Sequence, residues 1–212
     1  LPYIPIYIFD SELIKYPDTS DRHLQFIFDS IIDINSKLSE FNKKVEVFYG
    51  SSFKIFDDLL SQFKIENIYS YQESGIKSTW KRDLKIKSLC ADKAVNWTEF
   101  QRDGVIRGIK NRKNWNKNWH IFMHSEIINN SFNKQEKIDF KNNFTLPASF
   151  LTKINKNKNI FQPAGETMAW KYLMSFSEER VKNYAYNISK PEKSRVSCSR
   201  LSPYISWGNL NI

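Results

Sequence analysis

The densest chemistry in this sequence lies near its carboxyl end, where Cys198-Ser199-Arg200-Leu201-Ser202-Pro203-Tyr204 is followed by Trp207-Gly208. Two hydroxyls, a guanidinium and free backbone amides in one tight segment suit a phosphate group, whose oxygens accept from charged and neutral donors alike. Upstream, Ala169, Leu173, Phe176, Arg180 and Tyr184 follow at intervals of four, three, four and four, which keeps them on one helical stripe. Alanine, leucine and phenylalanine on such a stripe are ordinary core. An arginine and a tyrosine continuing it need polar partners, because an unpaired buried polar group is costly. Glu166, near the start of that helix, suits the helix dipole.

Other segments carry less. Arg102 to Trp119 interleaves Arg107, Lys110, Arg112, Lys113 and Lys117 with Trp115 and Trp119. Three readings stay open there: a nucleic-acid surface on which bases stack, a pocket for a flat anionic chromophore, or an exposed basic loop whose tryptophans pack on a sheet edge. His120 and His124 lie four apart, but zinc needs a third ligand and Glu126 is badly spaced for one, so no metal site is assigned. His23 stands alone. Cys90 falls on the inner face of a helix, where burial raises a thiol's pKa and makes it inert. No catalytic residue is assigned.

These groups must be positioned by the elements before them. Tyr3 to Phe9, Val45 to Tyr49, Ile65 to Tyr71 and Val95 to Phe100 read as strands. Between them lie helical patterns. Leu24, Ile27, Phe28, Ile31, Leu38 and Phe41 form the apolar face of the first, introduced by Ser20. Phe53, Phe56, Leu59, Leu60 and Phe63 form that of the second, capped by Ser51 or Ser52. A third runs from about Lys77 to Lys93, with Trp80, Leu84, Ile86, Leu89 and Cys90 expected to face inward.

Strands alternating with helices at this spacing imply an α/β fold with a doubly wound, parallel, Rossmann-like sheet. Such sheets bind ligands beyond the carboxyl ends of their strands. No Gly-x-Gly-x-x-Gly or Walker-type loop is present, and the spacing of Gly104 and Gly108 fits neither. Residues 129–159 are rich in Asn and Lys and weakly periodic. The expected organisation is an α/β domain over 1–130, a linker over 131–164, and the start of an all-α domain over 165–212.

Composition bounds the function class. With 41% hydrophobic and 15% aromatic residues, the 212-residue chain can build a core, which excludes wholesale disorder. No run approaches the ~20 apolar residues of a membrane span, and the apolar Leu1 to Phe9 lacks the flanks of a signal peptide. Two cysteines make neither a disulfide scaffold nor a four-thiolate metal site. The expectation is a soluble, cytoplasmic protein of a reducing compartment. A net charge of +9 favours a polyanionic partner through counterion release. Scattered lysines in a chain crowded with Lys, Asn and Ile also read as a solvated surface.

The run Gly165-Glu166-x-x-Ala169-x-x-x-Leu173-x-x-Phe176-x-x-x-Arg180-x-x-x-Tyr184, followed by Ser199-Arg200-Leu201-Ser202-Pro203-Tyr204-x-x-Trp207-Gly208, resembles the start of the flavin-binding helical domain of the photolyase and cryptochrome family. Pro5-Ile6-Tyr7-Ile8-Phe9-Asp10, with Arg22 and Phe26 in the next helix, resembles that family's amino-terminal α/β domain. By the resemblance, Cys198, Ser199, Arg200, Leu201 and Ser202 hold the FAD pyrophosphate, and Tyr184 contributes from the preceding helix. Cys198 stands where the family often has threonine, and a thiol keeps little hydrogen-bonding power. Trp207 is assigned to packing.

The activity the resemblance implies is that of a deoxyribodipyrimidine photolyase. A pyrimidine dimer is flipped out of damaged DNA, and electron transfer from light-excited reduced FAD splits it. A second antenna chromophore, of folate or deazaflavin type, often harvests light in the α/β domain. The alternatives are a cryptochrome photoreceptor of the same fold and a non-catalytic nucleic-acid-binding α/β module. No membrane is expected as partner, and the intact protein is expected to be a monomer.

Beginning at Leu1 inside a strand-like run and ending at Ile212 just past a dense motif, the chain reads as a fragment. By the resemblance a strand and a helix precede Leu1, and that strand is central, so the sheet should be split where it belongs and expose unpaired strand edges. The 212-residue chain alone is then expected to aggregate, which light scattering checks. A monomer that melts in one cooperative transition contradicts this expectation.

Overall fold

The computed structural model describes residues 2–73, 75–101, 104–136, 138–156 and 161–211. Strand β1 (Ile6–Asp10) is followed by helix α1 (Asp21–Leu38), β2 (Glu46–Gly50), α2 (Ser52–Gln62), β3 (Asn67–Tyr71), α3 (Lys77–Asp92) and β4 (Asn96–Phe100). Then come α4 (Trp115–Met123), α5 (Ala148–Asn155), α6 (Glu166–Glu178), a short 3-10 turn at Arg180–Asn183, α7 (Tyr184–Asn187), α8 (Pro191–Ser197) and α9 (Ser202–Ser206). The strand–helix alternation of a parallel α/β fold is present. The described strands form two separate parallel pairs, β1 with β2 (Ile6 opposite Glu46) and β3 with β4 (Asn67 opposite Asn96).

The turn ends of the first pair are set by polar side chains. Asp10 is buried at the carboxyl end of β1, and its carboxylate accepts from Glu12 N (2.9 Å) and Ser52 N (3.1 Å) and from the Ser52 hydroxyl. The charge is thus satisfied by the first turn of α2, which also fixes that helix on the sheet. At the other end, the Asn35 amide bonds both backbone groups of Val45, accepting from its N–H (2.6 Å) and donating to its C=O (3.2 Å). It thereby feeds the chain from α1 into β2.

Helix α1 is buried on two nearly opposite faces. Leu24, Ile27 and Ile31 join Phe9, Phe150 and Ile154 in one cluster. Phe26 meets Ala169 and Tyr204 in another. The second face continues in polar contacts: Ser30 Oγ lies 3.3 Å from Asn209 Oδ1, and Asp33 accepts from Glu166 N (3.0 Å) and the Thr167 hydroxyl (3.1 Å). Gly165, preceding α6, has no side chain to cap that helix, so Asp33 caps it from α1. Only glycine fits at 165, because φ is +96° and a Cβ would lie 2.8 Å from Asp33.

Three expectations change. The 131–164 stretch is not a bare linker. Tyr49 N donates to Phe144 O (2.8 Å), so this stretch covers the outer edge of β2, and Phe140 and Phe144 pack on Phe48 and Ile55. Helix α5 then buries Phe150 and Ile154 against α1. Second, Trp80 and Leu84 are 58% and 53% exposed, because α3 turns Thr79, Ile86, Leu89 and Cys90 inward instead. Third, the helix that starts at Glu166 stops at Glu178 rather than running to Tyr184, and Arg180 turns back beneath it.

The α5 packing predicts that Ile154→Ala destabilises the protein by about 2–5 kcal/mol in urea unfolding, the cost of emptying a buried aliphatic site. Leu84→Ala, on the exposed side of α3, should stay within about 0.5 kcal/mol.

Candidate functional site

The segment from Cys198 to Ser202 is shaped by contacts on both sides. α8 ends with Cys198 N donating to Ser194 O (2.8 Å). Arg200 then takes φ of 58°, in the left-handed region where non-glycine residues are uncommon, and its C=O accepts from the Gln162 amide (2.8 Å). Leu201 returns to the right-handed region (φ −85°, ψ −15°). A left-to-right alternation at residues 200 and 201 turns the amides of Arg200, Leu201 and Ser202 toward one concavity, a geometry that binds anions. Just beyond, Tyr204 is fully buried and its hydroxyl donates to Pro163 O (2.6 Å). Burial pushes that phenol's pKa up, which keeps it a neutral donor.

Arg180 closes the other side. It donates to Cys198 O, to Tyr172 O (2.7 Å), to Ser199 O (3.3 Å) and through Nε to Ser175 Oγ (3.0 Å). These are the partners that an arginine continuing an apolar stripe requires. Among the described residues the amides of Ser199, Arg200 and Ser202 donate to nothing. The Ser199 hydroxyl accepts weakly from Leu201 N (3.4 Å), and Ser202 is exposed.

The other assigned residues lie as follows. Cys198 is a half-buried free thiol whose carbonyl, not its sulfur, makes the polar contact. The Arg200 guanidinium lies over the Tyr172 ring (5.8 Å), facing a cleft of about 280 Å3 shared with Lys171, Arg180 and Arg195. Leu201 packs beside Phe26, Ala169 and Tyr204. Tyr184 opens α7 with its ring edge-on to Phe176 at 5.8 Å. Trp207 is 43% exposed with its ring 6.3 Å from His23. Tyr172, Ser175 and Gln162 were not singled out by sequence. Tyr172 lies three residues after Ala169, so helical spacing could have found it. Gln162 has no local signal.

At the carboxyl ends of β3 and β4 an open cavity of about 380 Å3 is lined by Gln72, Gln101, Ile106 and Arg107. Arg107 is held there by Glu73 O (2.9 Å) and the Glu99 carboxylate (3.0 Å). Arg102, the first residue of the basic-aromatic segment, lies outside the described residues. Trp115 and Trp119 stack on α4 with planes 13° apart, and Lys110, Arg112, Lys113 and Lys117 are exposed around them. His120 and His124 meet edge-on at 5.6 Å. Among the described residues no three His, Cys, Asp or Glu side chains gather as metal ligands, and no helix is long and apolar enough to cross a membrane.

No family model matches the sequence, and no curated protein sequence matches it. Solved structures do. An archaeal photolyase from Sulfolobus tokodaii with two FAD molecules aligns over 98% of this chain at 18% identity and a TM-score of 0.65. A bacterial class III photolyase from Agrobacterium tumefaciens aligns over 99% at 16% identity and 0.69. A cryptochrome from Synechocystis aligns over 98% at 13% identity and 0.70. The chain has the photolyase–cryptochrome fold. It spans 46%, 45% and 47% of those three chains, respectively. The expected α/β class and the resemblance that named this fold agree with these alignments.

Within this photolyase-type fold the two thiols should react differently. Cys90 is 2% exposed and burial raises its pKa, whereas Cys198 is partly exposed at the loop. Iodoacetamide at mildly alkaline pH should therefore label Cys198 well before Cys90, as read by peptide mass spectrometry. Faster labelling of Cys90 would contradict its buried placement.

Proposed function

We propose that this chain belongs to a flavin-dependent photolyase that splits pyrimidine dimers in damaged DNA. The observation that carries this reading is the loop at 198–202. On a fold shared with photolyases over nearly the whole chain, it carries the unpartnered amides of Ser199, Arg200 and Ser202 beside the Ser199 and Ser202 hydroxyls. That donor set fits a pyrophosphate.

FAD, when bound and reduced, supplies the electron that opens the cyclobutane ring. The chain's own part is to bind and to place. The amides of Ser199 and Arg200 and the hydroxyls of Ser199 and Ser202 hold the pyrophosphate oxygens. Leu201, anchored among apolar neighbours, keeps the loop at fixed height. Tyr184 adds a ring and a hydroxyl from α7. Cys198 contributes backbone only. The cavity where β3 and β4 end is the place for a second, antenna chromophore, since parallel sheets bind ligands beyond the carboxyl ends of their strands. The exposed lysines and arginines around Trp115 and Trp119 suit DNA phosphates, with salt-dependent affinity.

A cryptochrome photoreceptor is the second reading, because the Synechocystis cryptochrome aligns as well as the photolyases do. Repair decides between them. The full-length protein with reduced flavin, given dimer-containing DNA, should restore intact pyrimidines only under blue or near-ultraviolet light, while binding persists in the dark. Flavin that cycles in light and leaves both cyclobutane and six-four lesions untouched overturns the repair reading in favour of the photoreceptor. A protein that holds no flavin leaves the nucleic-acid-binding module.

A further inference from the structure

We infer that Arg180 is the positioning residue of the pyrophosphate loop, turning two consecutive carbonyls to one side so that the amides behind them face the other. The inference rests on the flavin reading above. A trans peptide is planar, and the C=O of one residue points opposite to the N–H of the next. Arg180 draws the carbonyls of Cys198 and Ser199 toward its guanidinium. The N–H groups of Ser199 and Arg200, which share those two peptide planes, therefore point away from it, and neither has a partner among the described residues.

The guanidinium is itself held in place. Nε is fixed by Ser175 Oγ and Nη2 by Tyr172 O, while its carbon lies 5.6 Å and 5.8 Å from the ring centres of Tyr172 and Phe176. Its plane is set by four acceptors and two rings before any ligand arrives. Among the described residues no carboxylate neutralises its charge. The charge polarises the two peptides it grips, making their outward amides better donors, and the loop needs no reordering when an anion binds. Lysine cannot reproduce this: an ammonium is a compact charge without a planar fork. The break after Glu178 is what allows Arg180 to reach back beneath α6.

The test compares FAD with riboflavin, which lacks the pyrophosphate, in the full-length protein. In Arg180→Met the affinity for FAD should fall about ten- to a hundred-fold, the scale of lost charge-assisted contacts, while that for riboflavin is unchanged. Arg180→Lys should show the same selective loss to a smaller degree, and it carries the comparison if the methionine variant does not fold. Parallel losses for both ligands mean that Arg180 serves the fold alone and overturn the inference. Full retention of the FAD preference in both variants overturns it as well. A wild-type protein that binds FAD no tighter than riboflavin overturns the pyrophosphate reading itself, and the inference with it.

Discussion

Helix α1 is buried or half-buried at every position from His23 to Ile31, and the placement of everything else follows from that. Leu24, Ile27 and Ile31 belong to the core shared with β1 and α5, while Phe26, Ser30, Asp33 and Lys37 run along a second stripe that receives the carboxyl-terminal helices. Spacings of four, three and four keep that second stripe aligned, nearly opposite the first. Tyr204 and Asn209 dock on it, and Tyr204 lies two residues past Ser202. The 198–202 loop, with its unpartnered amides, is thus pinned to the α/β core through one helix. A change in the register of α1 would move sheet and loop together.

The contacts along that stripe divide their work unequally. Burial of Phe26 and Tyr204 supplies stability, at roughly 25 cal/mol per Å2 of apolar area removed from water. Asp33 supplies direction, because it caps α6 where Gly165 cannot. Lys37 bridges Asp33 and Glu166 in the open, and its hydrogen bond to Glu166 raises its pKa against the opposing effect of burial. Exposed pairs of this kind contribute little to stability.

Net charge overstates what a partner would meet. Arg180 is occupied by carbonyls, Arg107 by Glu99 and a backbone oxygen, and Lys153 by Asp21. The exposed cations without an ion pair among the described residues include Lys110, Arg112, Lys113 and Lys117 before and on α4, and Lys77, Lys81, Lys85 and Lys87 on α3.

The sequence alone determined the alternation of strands and helices, since β-branched and aromatic runs of five residues and apolar stripes of period 3.6 are local properties. It also put the candidate phosphate donors in one place, because Ser199, Arg200 and Ser202 are neighbours in the chain. Tertiary structure decided the rest. Phe140, Phe144, Phe150 and Ile154 sit in an Asn- and Lys-rich stretch with no sustained period, so each finds its place only once β2 and α1 exist to receive it. Trp80 and Leu84 look like core by spacing, yet the wall that α3 meets takes Ile86 and Cys90 instead. Arg180 continues a helical stripe by count. It leaves the helix because carbonyls eighteen and nineteen residues away satisfy its guanidinium, and long-range hydrogen-bond partners leave no trace in local spacing.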